Sequence, residues 1–124
     1  MKTLILAAIL CLATLTKAEL DAHKAWMDDA QDKKDDVREA LAAKDAKRLV
    51  EAALDIERLT EREHQFWART TIAKARELAV KNRGESREML KAAQAGEFAQ
   101  AADALARLEK TCSACHDLHF EKQL

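Results

Sequence analysis

The chain has 124 residues, 48% of them hydrophobic and 35% charged, with 21 basic residues against 22 acidic ones and a formal net charge of −1. That near balance argues against nucleic acid or an anionic membrane surface as the main partner. The absence of proline, with only two glycines, argues against a loop-rich or β architecture, and the abundance of Ala, Leu, Glu, Lys and Arg predicts an all-α chain.

The N-terminal stretch reads as an export leader. Lys2 supplies the positive end, Leu4 to Leu15 the apolar run, and Thr16-Lys17-Ala18 a cleavage-like sequence, so residues 1–18 are expected to be removed and 19–124 to form the mature domain. The apolar run is shorter than the roughly 20 residues that span a bilayer, which predicts a soluble periplasmic protein without a stable membrane anchor. Cys11 falls inside the leader, and Leu10 before it is not the small residue that lipid attachment wants. Losing Lys2 and Lys17 shifts the net charge to −3. The remaining length suits one domain and is marginal for a deep core without help.

Four apolar seams follow, each spaced alternately by three and four residues. The first is Leu20, His23, Met27, Ala30, Lys34, Val37 and Leu41; the second is Leu49, Ala52, Ile56, Leu59, Glu63 and Phe66, with Trp67 beside its end. The third is Ile72, Ala75, Ala79, Asn82, Ser86, Met89 and Ala93; the fourth is Phe98, Ala101, Leu105, Leu108, Cys112, Cys115 and His119. Such spacing marks helices packed lengthwise at shallow angles. Helices are predicted over about 20–43, 46–68, 71–95 and 97–120, with Asp45 capping the second, Thr70 or Thr71 the third, and Gly96 closing the third in a left-handed conformation. Thr60-Glu61-Arg62-Glu63 matches a capping box, but the second seam runs through it unbroken. Short connections force neighbours to run antiparallel, giving an up-down-up-down four-helix bundle. Lys34 and Glu63 interrupt their seams and are expected to reach solvent at a bundle edge. Gly84, inside the third helix, costs about 1 kcal/mol relative to Ala and is read either as a place for a bulky group to approach or as an ordinary helix irregularity.

Near the end of the fourth seam stands Cys112-Ser113-Ala114-Cys115-His116, a C-x-x-C-H pattern. Two cysteines three apart lie on one side of a helical turn and can form thioethers to the two vinyl groups of a porphyrin, with His116 beneath the ring as the proximal iron ligand. A structural zinc site wants a second ligand pair that the chain does not offer, and a thioredoxin-like dithiol wants a βαβ setting. Export leaves Cys112 and Cys115 as the mature chain's cysteines, and haem attachment accounts for both. The expectation is one covalently attached haem c per chain near the C-terminal end of the last helix.

The motif, its position in a fourth helix and a Met in the first helix together make the chain resemble the class II c-type cytochromes, the cytochrome c′ family and its low-spin relatives. That resemblance implies Met27 as the sixth iron ligand, because the first helix of this family approaches the haem face opposite the proximal His. The seam position of Met27 near one end of an up-down bundle is compatible with this. His23, one turn earlier, is the rival distal ligand or a partner for a propionate. His64 is expected on a solvated face, and His119 shares its helix with His116. Trp26, Phe66 and Trp67 are candidates to wall the haem cavity, Trp26 by packing on the haem itself. The family commonly has Arg or Lys four residues after the proximal His, where this chain has Phe120.

These readings predict a periplasmic electron carrier that meets redox protein partners as a monomer or homodimer. The alternative is a haem protein with an open or displaceable distal site that binds small gases such as nitric oxide or carbon monoxide. An enzyme is disfavoured, since no distal acid/base arrangement or paired carboxylates stand out.

Overall fold

The structure, a computed structural model, describes residues 14–124 and contains four long helices and no strand among them. Most of the apolar leader and Cys11 lie outside the described residues. The helices are α1 (Lys17–Ala43), α2 (Ala46–Ala68), α3 (Ala73–Gln94) and α4 (Phe98–Asp117), followed by a 3-10 turn over Phe120–Gln123. No helix among the described residues is long and apolar enough to cross a membrane.

Local chemistry sets the helix ends. α1 starts earlier than its seam suggests, because Thr16 acts as N-cap and its hydroxyl accepts from the Glu19 amide at 3.2 Å. Asp45 caps α2 as expected, accepting from the Arg48 amide at 3.1 Å. α2 is continuous through Thr60-Glu61-Arg62-Glu63, so that capping-box sequence starts nothing. Gly96 adopts φ +71° after α3, where the Glu97 amide bonds back to the Ala92 carbonyl and the Gly96 amide to Ala93.

Two boundaries correct the expectation. Neither Thr70 nor Thr71 caps α3, which begins at Ala73 after Ile72 with no side-chain cap; the Thr70 hydroxyl instead donates to the Trp67 carbonyl at 2.7 Å, finishing α2. α4 stops at Asp117 rather than 120, because His119 turns left-handed at φ 48° and the chain winds into the 3-10 turn. That reversal tucks Phe120 against Trp67, their ring centroids 5.8 Å apart.

The core has two apolar clusters, one at each end of the bundle. One joins Val37 and Ala40 of α1, Leu49 to Ile56 of α2, Met89 to Ala93 of α3 and Ala101 to Leu108 of α4. The other joins Leu20 and Trp26 of α1, Phe66 and Trp67 of α2, Ala75 to Ala79 of α3, and Ala114, Cys115 and Phe120. The end of one helix thus meets the start of the next, as an up-down-up-down order requires. Between the clusters lies a polar layer drawn from all four helices: Lys34, Thr60, Glu63, Glu85, Ser86 and Thr111, all buried. The hydroxyls of Thr60 and Ser86 are 2.6 Å apart, and the Thr111 hydroxyl donates to Glu85. Lys34 and Glu63 therefore do not emerge at an edge; their seams carry them into the interior. α1 packs closely on α2 but meets α4 sparsely, and an ion pair between Arg38 and Glu109 links the two.

Candidate functional site

Beside the second cluster, the bundle opens into a cavity of about 550 Å³. Its size lies within the range of small-molecule and cofactor sites. All four helices and the C-terminal turn contribute: Leu20, His23 and Met27 from α1, Glu63 and Trp67 from α2, Ala79 and Asn82 from α3, Cys112, Cys115 and His116 from α4, and Phe120 after it. The seams explain the convergence. Leu20, His23, Met27, Asn82, Cys112 and Cys115 occupy core-facing positions of their helices yet remain only half-buried, since the helices diverge around the cavity.

Cys112 and Cys115 are free thiols. The Cys112 thiol lies 3.7 Å from the Asn82 side-chain oxygen, to which it donates. Burial pushes the Cys112 thiol upward against the opposing influence of Lys34, while burial, followed by the neighbouring Cys112 and Glu63, pushes Cys115 up to about 11. Both sulfurs are thus kept protonated near neutral pH. His116 lines the cavity while remaining exposed.

On the opposite helix, Met27 and His23 line the same cavity one turn apart. His23 is tied into the wall: its Nε2 lies 2.9 Å from Glu63 Oε2, and its ring stacks on Phe66 with centroids 4.0 Å apart and an angle of 12°. Trp67 meets the His23 ring edge-on and donates its indole N–H to the same Glu63 oxygen at 3.1 Å. The other Glu63 oxygen is buried without a hydrogen-bond partner.

Met27, His23, Cys112, Cys115 and His116 therefore converge on one cavity, whereas Trp26 does not line it. Trp26 packs at the edge of the second cluster, with the Arg62 guanidinium 5.7 Å from its ring centre. Successive residues on a helix point about 100° apart, so when Met27 faces inward its neighbour Trp26 turns away toward α2. Trp67 and Phe120 supply aromatic walls instead, with Phe66 behind His23. Glu63, expected at a bundle edge, lies inside it, and its place on the second seam is the signal of that inward direction. Phe120 is three-dimensional in origin, delivered by the left-handed turn at His119. His64 is half-buried and paired with Arg83 at 3.1 Å; His119 is exposed and paired with Glu121 at 3.0 Å.

Gly84 faces open space where a Cβ would stand and borders a separate groove between α3 and α4. It does not make room in the Cys-lined cavity. Among the described residues, no three His, Cys, Asp or Glu side chains converge so as to hold a bare metal ion. In comparisons with known proteins, no family model, no curated protein and no solved structure matches the chain.

Proposed function

We propose that the chain is an exported mono-haem c-type cytochrome and serves as a soluble electron carrier. The observation that carries this reading is the shared cavity: C-x-x-C-H on one helix and Met27 on the facing helix line a single, largely apolar space. The donor set fits haem better than a bare ion, because an iron that brings four porphyrin nitrogens needs only axial donors from the protein. Bound there, haem supplies a one-electron ferric/ferrous couple.

The chain's own residues have separate tasks. The thiols of Cys112 and Cys115 would hold the haem by thioether bonds, each adding across one vinyl double bond with its hydrogen passing to the neighbouring carbon, so that no oxidant would be needed. His116 would hold the iron through its imidazole and Met27 through its thioether. Met27 is favoured over His23 because His23 Nε2 is already engaged by Glu63. Trp67, Phe120 and Leu20 would give the haem apolar walls. An electron arrives from a reduced redox protein and leaves to an oxidised one.

Haem staining after denaturing electrophoresis tests the reading. The wild-type chain should retain stain, and the double variant Cys112→Ala/Cys115→Ala should lose it; an unstained wild-type chain overturns the proposal. In purified protein, Met27→Ala should convert a low-spin spectrum to a high-spin one. Rapid carbon monoxide binding by a high-spin ferrous wild type would instead favour the gas-binding alternative.

A further inference from the structure

Glu63 is costly where it stands. Its carboxylate occupies an apolar seam position, is 5% exposed, and lines the cavity with one oxygen unpartnered; burying such a group without full hydrogen bonding is unfavourable. Its other oxygen receives the Trp67 indole N–H and faces His23 Nε2, both held by ring packing against Phe66. Charge-assisted bonds from two fixed donors hold an anionic acceptor in one orientation. The carboxylate as a whole stands in the cavity wall, one oxygen bonded and the other buried.

Resting on the haem reading above, we infer that Glu63 is a tuning residue: a fixed negative charge in the cavity wall that holds the iron's reduction potential down. Ferric iron carries one more positive charge than ferrous, so a nearby carboxylate stabilises the oxidised form more, and the water-poor wall keeps that field from being screened. This opposes the thioether of Met27, which raises the potential. The charge of Glu63 reaches the attachment site, since it helps push up the thiols of both Cys112 and Cys115. Of the neighbouring cations, Lys24 is exposed at the cavity's rim, while Lys34, in the polar layer deeper in α1, opposes Glu63 at Cys112 but does not register at Cys115. Glu121, at the cavity's C-terminal side, is exposed and adds negative charge of its own.

The experiment is a spectroelectrochemical titration of the purified haem-bearing protein, comparing wild type with Glu63→Gln and Glu63→Asp. Glu63→Gln keeps an acceptor for Trp67 and removes the charge. It should raise the potential, moving the ferric/ferrous equilibrium with a reference dye about tenfold toward ferrous, the scale for losing one unit charge acting across roughly 12 Å in a medium of effective dielectric near 20. Glu63→Asp keeps the charge and should stay close to wild type. As a second route, His23→Phe preserves the ring stack, removes the donor and should lower the potential. A Glu63→Gln potential equal to wild type, or a Glu63→Asp shift as large as that of Glu63→Gln, overturns the inference. A wild-type chain without covalent haem overturns the haem reading itself, whereas haem-bearing variants with unmoved potentials overturn this inference alone.

Discussion

Buried polar side chains carry much of what distinguishes this bundle. Glu85 and Thr111 pair across α3 and α4, Thr60 and Ser86 across α2 and α3, and Glu63 gathers His23 and Trp67 across α1 and α2. Such contacts add little net stability, but each is costly to leave half-made, so together they select one register between helices. The thiols offer a direct check at this scale. With Cys115 pushed up to about 11, chiefly by burial, little thiolate is present at pH 8. In chain expressed in the cytosol, where both thiols stay free, alkylation of Cys115 mapped by mass spectrometry should be slow at pH 8 and keep accelerating toward pH 11. In urea the same thiol should react like an ordinary cysteine. Equal rates in the folded and unfolded chain would refute the shielding.

At the scale of single helices, the two glycines behave oppositely. Gly96 has φ +71° in the turn that closes α3, a conformation that side chains resist; Gly96→Ala should cost about 1 kcal/mol. Gly84 lies within α3 with nothing within 4 Å of an added Cβ, so Gly84→Ala should stabilise by about 0.5–1 kcal/mol through helix propensity alone. Urea unfolding of both variants measures this, and a destabilising Gly84→Ala would mean that the groove beside it matters. Gly96 was legible from sequence because it sits where one seam ends and another begins. Gly84 was not, because periodicity reports which way a position points but not how near the neighbouring helix comes.

Across the whole molecule, the polar layer separates two ends with different duties. The end containing Val37, Leu49, Ile56, Met89 and Leu108 is filled by side chains that are almost wholly inaccessible. The other end surrounds the cavity with aromatic walls and the Cys pair. Leu108→Ala should therefore lower stability by about 2–5 kcal/mol in thermal or urea unfolding, the usual cost of hollowing a packed core. A loss below about 1 kcal/mol would show that this end relaxes and is not the scaffold for the other.

The sequence by itself determined the helical class, the four seams, the Asp45 and Gly96 boundaries and the Cys112-Cys115-His116 motif, because all of these depend on spacing within one helix. The first seam also placed Met27 and His23 on the same inward face. Tertiary structure decided which faces share a cavity. It set Trp26 at the edge of the second cluster and not in the cavity lining, brought in Trp67 and Phe120, drew Glu63 and Lys34 inside, and stopped α4 at Asp117 so that His119 could reverse the chain. The physical reason is that burial and hydrogen bonding depend on neighbours distant in the chain, such as His23 and Glu63 forty positions apart, and no local pattern encodes their separation.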